Sequence, residues 1–352
     1  MKQNFYEYDM QYINEALLPW ENLNNKTLMI TGAAGLVGGG IADAVIDRNE
    51  RLGENIRLLL VARNENRLRK RFARYASKSY ISLICHDVTK PFVELDNVDF
   101  IIHAASKGDP LSFVRDPVGV MNANYLGMLN VLEIARRCKS PKVLFISSGE
   151  VYGIINDIEE NGFKEKDMGY IDISNSRNCY AISKIAAENL CICYSEQYGV
   201  NTSVARLSHT YGGRILPDEN RVIFQFMRSA IKGEDIVMKT SGAQKRSYCY
   251  IADVVKAIFY ILLKGDNKEF YNVANRESVV TIKELAECIA NICGRKVMIE
   301  SQSKDEKKGN SGIIHAVLNT DKIETLGFKA NFEINRGIER CIAILREYDV
   351  EE

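Results

Sequence analysis

Through the first two hundred residues, short apolar runs alternate with longer stretches in which apolar side chains recur at helical spacing. The runs are "TLMITGA" (27–33), "IRLLLVA" (56–62), "YISLICHDV" (80–88), "VDFIIHAAS" (98–106) and "KVLFISS" (142–148). Apolar runs without alternation are the mark of parallel strands buried on both faces by crossover helices. Stretches such as "GVMNANYLGMLNVLEIARRC" (119–138) supply the helices. The pattern therefore predicts an α/β fold, a doubly wound parallel sheet over residues 26–212. Beyond 212 the rhythm loosens into helix, short strand and loop, as in "RVIFQFMRSAIKG" (221–233) and "TIKELAECIANICG" (281–294), where Thr281 and Glu284 have capping-box spacing. Residues 213–352 are expected to form a smaller lobe, with some elements returning to the main sheet. The charged run 301–312 reads as a solvated loop. Residues 1–25 form an N-terminal extension in which "MQYINEALL" predicts a short amphipathic helix that packs Trp20 or Leu17 onto the main domain.

Composition narrows the function. Lys plus Arg and Asp plus Glu number 46 each, so no net field draws the chain to nucleic acid or an acidic membrane, and an anion has to be gripped locally. No run of about 18 apolar residues suggests a membrane span, and no secretory leader is evident at the start. The nine scattered cysteines lack C-x-x-C spacing, which fits reduced thiols and a cytoplasmic location. His86, His103, His209 and His315 show no metal-ligand spacing, so no metal is expected.

"MITGAAGLVGGG" places Gly32, Gly35 and Gly38 directly after the first strand run. Glycines in a strand-to-helix turn let backbone approach a pyrophosphate, while the free amides of the helix start receive its charge. The loop predicts a bound dinucleotide, with a tight structural turn as the plain alternative. Arg63 stands near where an acidic residue would hold the 2′-hydroxyl of NAD. A guanidinium there suits the 2′-phosphate of NADP, although Arg63 also opens a basic helix that could simply face water.

Tyr180 and Lys184, in "NCYAISKIAAENL", lie four apart and share one helix face. A free phenol titrates near pH 10, so service as a base at neutral pH requires about 4 kcal/mol in favour of the phenolate. The adjacent ammonium is expected to supply part, and a cationic nicotinamide more. In isolation this spacing is common. Its weight comes from the order of glycine loop, "IIHAAS", strand-end Ser148, Tyr180 and Lys184.

From Lys26 onward the chain resembles the extended short-chain dehydrogenase/reductase family, in particular its nucleotide-sugar epimerases, dehydratases and decarboxylases. The motifs that carry the resemblance are "TGAAGLVG", "HAAS", "SSGEVYG", "YAISK", "RLSHTYGG" and "GAQKRSYCYIADV", followed by "FYNVANRESVVTIKELAE". It implies a Rossmann domain for NAD or NADP, a C-terminal lobe for a nucleotide diphosphate sugar, and homodimers paired through 119–138 and 180–198. It further implies that Tyr180 takes the proton of the sugar's carbon-4 hydroxyl, that Lys184 holds the cofactor ribose, and that Ser148 bonds the same oxygen. The cofactor would touch Gly32, Gly35, Leu36, Val37, Gly38, Arg63, Asp87, Val88, Ala104, Ala105 and Ser106; Asp87 would meet the adenine, or merely cap a strand end. The substrate would meet Ser148, Gly149, Glu150, His209, Arg221 and Arg246, with Arg246 gripping the diphosphate. Val151 and Tyr152 read as packing and Ser147 as structural.

Oxidation at carbon 4 can lead to epimerisation, 4,6-dehydration or decarboxylation. The dehydratases resembled here carry an acid or hydroxyl followed by Glu after the Ser or Thr, and the decarboxylases a Ser-Glu pair. This chain keeps Glu150 but has Gly149 before it. Glu150 favours lyase chemistry, decarboxylation or dehydration, while the bare Gly149 weakens the dehydratase case. An epimerase, in which Glu150 only binds a sugar hydroxyl, and a non-catalytic NAD(P)-binding regulator are the alternatives. The family's "R-x-x-N-x-Y-G-P" is "RLSHTYGG" here, so His209 replaces an asparagine that touches substrate, and its imidazole is expected to titrate near neutrality.

Overall fold

The computed structural model describes residues 4–93, 95–139, 142–155, 161–216, 218–300 and 315–348. The charged run 301–312 lies outside them. The five apolar runs become β1 (Thr27–Thr31), β2 (Arg57–Ala62), β3 (Ile81–Cys85), β4 (Phe100–His103) and β5 (Lys142–Ser148), joined by β6 (Thr202–Leu207). The helices between them are α2 (Leu36–Leu52), α3 (Glu65–Phe72), α4 (Pro110–Arg115), α5 (Pro117–Cys138) and α6 (Cys179–Tyr198), preceded by α1 (Phe5–Asn14). After them come β7 (His209–Tyr211), α7 (Val222–Ile231), β8 (Ile236–Met238), β9 (Lys245–Tyr250), α8 (Ile251–Lys264) and β10 (Glu269–Val273).

The main sheet is parallel throughout, in the order β10-β6-β5-β4-β1-β2-β3. Strand order reverses between β1 and β4, the switch point at which ligands of open α/β sheets bind, beyond the carboxyl ends of the strands. One apolar core fills the α2 and α8 face of the sheet and a second fills the α5 and α6 face. β10 comes from beyond residue 212, so the later part of the chain does return to this sheet. Around β9 a small second sheet collects β7, β11 (Val279–Thr281) and β13 (His315–Ala316), while β8 pairs with β12 (Val297–Ile299). α9 (Ile282–Cys293) begins at a complete Thr281–Glu284 capping box, each side chain bonding the other's backbone amide.

The N-terminal helix starts earlier than its apolar pattern suggests, at Phe5, where Asn4 caps the Glu7 amide. Its buried face carries polar groups as well as Met10 and Ile13. Asp9 accepts hydrogen bonds from Arg340 (Nε, 3.0 Å) and Tyr250 (2.6 Å), and Tyr12 donates to Asp253 (2.6 Å). Asn14 donates to the Ala44 carbonyl and to Asp47. The helix thus ties α2, α8 and the C-terminal helix Ile334–Tyr348 together. Of the two anchors expected, only Trp20 serves: its indole is buried beneath the Arg48 guanidinium (3.9 Å) and against Phe259 (4.8 Å), whereas Leu17, past the helix end, is 88% exposed. Trp20→Ala is accordingly expected to cost about 3–5 kcal/mol in urea unfolding, and Leu17→Ala to stay within about 0.5 kcal/mol of the parent.

Candidate active site

The glycine loop closes β1 onto α2. Gly32 has φ +71°, and a Cβ there would lie 2.6 Å from the Ala104 carbonyl oxygen; one at Gly38 would lie 2.5 Å from that of Gly32. Only bare backbone fits at either place. Gly35 caps α2 without a side chain, so the amides of Leu36, Val37 and Gly38 keep no partner within the helix. A loop stripped of side chains, over open amides at a helix start, fits a dinucleotide pyrophosphate.

Two other predicted cofactor positions sit at neighbouring strand ends. Arg63 is exposed just after β2, close enough to Asp87 to favour that residue's ionised form. Asp87 accepts a hydrogen bond from the Thr89 amide (3.0 Å), which is the strand-end capping role. Val88 is buried, with its carbonyl bonded by Asn130 (2.8 Å). Ala104, Ala105 and Ser106 follow β4, and the Ala105 amide donates to Thr31 (3.2 Å).

Ser148 ends β5 and its hydroxyl accepts from the Glu150 amide (3.2 Å) as the chain turns into a 3₁₀ segment. Tyr180 enters from the first turn of α6, buried and stacked on Phe113, with ring centroids 4.6 Å apart. Its phenol is pushed up to about 12, first by burial and next by the Glu150 carboxylate; hydrogen bonding with Ser148, the Arg221 charge and hydrogen bonding with Ser106 pull it back. Lys184 is itself buried and donates to the Ile146 carbonyl (2.7 Å), and burial lowers its own pKa to about 7. Burial is the largest cause of both shifts.

His209 opens β7, its ring 5.5 Å from that of Tyr248. Loss of solvation, then the charges of Arg246 and Arg221, lower its pKa below the ordinary imidazole value. Arg246 is buried on β9, and burial lowers its pKa. Arg221 is chelated by Glu219 (3.0 and 2.8 Å) and bonds the Thr210 carbonyl (2.9 Å).

Gly149 lies against Leu318. A Cβ there would meet the Leu318 methyls at 3.2 and 3.3 Å, so a side chain at this position requires the tip of Leu318 to give way by a few tenths of an ångström. Beside it, Glu150 is paired with Arg177 (3.4 Å). Ser147 is buried and donates to Glu188 (2.6 Å), which pairs with Arg206 (2.7 Å); Val151 and Tyr152 are buried, the latter donating to Asn272 (2.6 Å).

Several groups escaped the reading of the sequence. Ser106, expected only as a cofactor contact, hydrogen-bonds with Tyr180 and donates to Asn124 (2.7 Å). Fully buried Asn124 donates to Ser183 (2.9 Å), which donates to the Cys179 and Tyr180 carbonyls (2.6 and 3.0 Å). The available signal was an asparagine on the apolar face of α5. Arg177 carried a weaker one, a cation three residues before the tyrosine.

The NAD dependent epimerase/dehydratase family model matches residues 28–274. The chain belongs to this family. UDP-glucuronic acid decarboxylase 6 of Arabidopsis thaliana is 30% identical over 326 residues, 90% of this chain and 87% of its own length. Among solved structures, a dTDP-glucose 4,6-dehydratase from Streptomyces venezuelae with NAD bound superposes with TM-score 0.79 at 20% identity, over 92% of this chain and 98% of that one. A UDP-glucose 4-epimerase from Thermotoga maritima gives 0.78 at 21%, over 92% and 99%. The likeness to these two shows the fold. The epimerase/dehydratase chain is thus an NAD-dependent enzyme of nucleotide-sugar type. Among its described residues no helix is long and apolar enough to cross a membrane, and no three His, Cys, Asp or Glu side chains are grouped to hold a metal ion.

Lys184 gives a sign-specific test. Its folded pKa of about 7 lies below the ordinary lysine value, so between pH 7 and about 10 the unfolded chain binds the extra proton and this group makes stability rise with pH. Below pH 7 the full burial penalty applies. In urea unfolding at pH 6, 8 and 9.5, Lys184→Met is expected to remove part of that rise; an unchanged slope contradicts the assignment.

Proposed function

We propose that the protein oxidises a nucleotide diphosphate sugar at carbon 4 and then removes carbon 6 as carbon dioxide, in the manner of a UDP-glucuronate decarboxylase. The observation that carries this reading is Glu150 beside Tyr180 with Leu318 packed over bare Gly149. Dehydration needs a proton donor for the departing carbon-6 hydroxyl, and Gly149, with Leu318 packed against it, supplies none. Simple epimerisation gives a carboxylate at Glu150 no chemical task. The relatives named as UDP-glucuronic acid decarboxylases support the same choice.

When bound, NAD(P) supplies a hydride acceptor and, in its oxidised form, a positive charge that favours the phenolate. Tyr180 receives the proton of the carbon-4 hydroxyl, and Ser148 bonds the same oxygen and orients it. The carbon-4 ketone then accepts the electron pair of the breaking bond between carbons 5 and 6; carbon 5 would next take a proton, and carbon 4 would regain its hydride while Tyr180 returns the proton to its oxygen. Lys184 would hold the cofactor ribose, Gly32, Gly35, Leu36, Val37 and Gly38 the pyrophosphate, and Arg246 the sugar diphosphate with His209 and Arg221 lining the cleft. Asp87, Val88, Ala104, Ala105 and Ser106 would complete the dinucleotide cradle. Arg63, exposed at the end of β2, leans the choice of cofactor toward NADP.

Residues 26–212 serve as the dinucleotide domain and 213–352 mainly as the substrate lobe. Exposed Val118, Met121 and Tyr125 on α5 support pairing of two copies, and the nine unpaired cysteines support a cytoplasmic location.

Mass spectrometry of products from UDP-glucuronate, UDP-glucose and dTDP-glucose separates the chemistries, with loss of carbon dioxide from UDP-glucuronate expected. Glu150→Gln is expected to abolish product while cofactor is still reduced by substrate; full turnover by this variant would argue for epimerisation. In parallel titrations NADP is expected to bind more tightly than NAD, and equal or tighter NAD binding would end that preference.

A further inference from the structure

We propose that Arg177 is the receptor for a carboxylate on carbon 6 of the sugar, and so the residue by which the site prefers a uronate to a neutral hexose. This rests on the reading of the reaction given above. Arg177 lies in the short 3₁₀ turn Ser176–Asn178 that leads into α6, three residues before Tyr180. Its side chain is largely buried, with the guanidinium carbon 5.4 Å from the Phe113 ring centroid, and Phe113 in turn stacks on Tyr180. The cation is thereby fixed to the same aromatic pair that fixes the phenol.

Its hydrogen-bonding capacity is mostly unspent. Nη1 reaches Glu150 at 3.4 Å, longer than the 2.7–2.9 Å usual for a charge-assisted bond, and Nε is buried without a partner. The other cations of the site are more heavily engaged: Lys184 by the Ile146 carbonyl, Arg221 by Glu219 and Thr210, and Arg246 by the Lys245 carbonyl.

Substrate chemistry supplies the need for such a group. With the carbon-4 hydroxyl at Tyr180 and Ser148, carbon 5 and its carboxylate are the next atoms of the sugar, on the ground held by Glu150. Two carboxylates in one partly buried site repel strongly unless a cation stands between them. Arg177 already neutralises Glu150 through one edge of its planar fork, and the fork geometry allows a second carboxylate to be bound by the rest. Because the substrate carboxylate loses its charge as carbon dioxide forms, this contact favours the bound ground state, so its loss should fall on KM more than on kcat.

The test separates binding from reaction. In a Tyr180→Phe background that stops turnover, with NAD present, calorimetry measures the affinities of UDP-glucuronate and UDP-glucose. Adding Arg177→Gln should weaken UDP-glucuronate on the order of 10- to 100-fold and leave UDP-glucose within about threefold, which also reports that the variant is folded; Arg177→Lys should restore part of the difference. With Tyr180 intact, Arg177→Gln should raise KM for UDP-glucuronate more than it lowers kcat. Equal weakening of both nucleotide sugars, or a fall in kcat at unchanged KM, overturns the proposal. Carbon dioxide release by the parent enzyme tests the reaction itself: its absence with an intact Arg177 preference would refute decarboxylation but not the carboxylate receptor.

Discussion

Desolvation of Tyr180 and Lys184 at the carboxyl end of β5 is the constraint from which the rest of the site follows. Both are buried, so the phenol is held up to about 12 and the ammonium down to about 7. A phenolate at neutral pH needs further positive charge placed against the ring. The site has the form of a device completed by its cofactor, and the glycine loop, which only bare backbone can build, lies against the backbone that follows β4. Burial also fixes orientation: the Phe113 stack, the Ser106–Asn124–Ser183 hydrogen bonds and the Lys184–Ile146 bond leave the tyrosine little freedom.

The elements around that centre come from distant parts of the chain, and each arrives for an identifiable physical reason. Leu318 reaches Gly149 because its segment lies against β9 and beside β10, with the Leu318 amide bonded to Ser247 (3.1 Å). Glu188 and Arg206 form a buried pair under Ser147, so the strand end that presents Ser148 is braced from below. The N-terminal helix adds a clasp of another kind. Its Asp9, Tyr12 and Asn14 satisfy buried polar groups on α8, the C-terminal helix and α2, joining the two ends of the chain on the core face opposite α5 and α6.

Much of this was legible in the linear pattern. Period and run length alone give β1 to β5 within about three residues at each end, because a strand buried on both faces must be apolar at every position. The capping box at Thr281 was equally plain, since it is a contact between residues three apart. Ser148, Tyr180 and Lys184 were singled out through their order, and the structure brings the Ser148 hydroxyl into hydrogen-bonding reach of the Tyr180 phenol. Leu17 shows where the pattern misleads: an apolar residue at helical spacing is no guide once the helix has stopped at Asn14.

By itself, the sequence determined what depends on local chemistry: strands, helix caps, the glycine turn and the identity of the reactive groups. Only the tertiary structure decided what depends on neighbours distant along the chain. Residue type told nothing of how far burial would shift Tyr180, Lys184 and His209, because desolvation is set by every atom packed around a group. Nor could it show that Leu318, some 170 residues away, packs against Gly149, or that Arg177 stands against Glu150. Spacing along the chain reports contacts within a turn or a strand; electrostatics and steric fit are summed over three dimensions, and the fold alone supplies that sum.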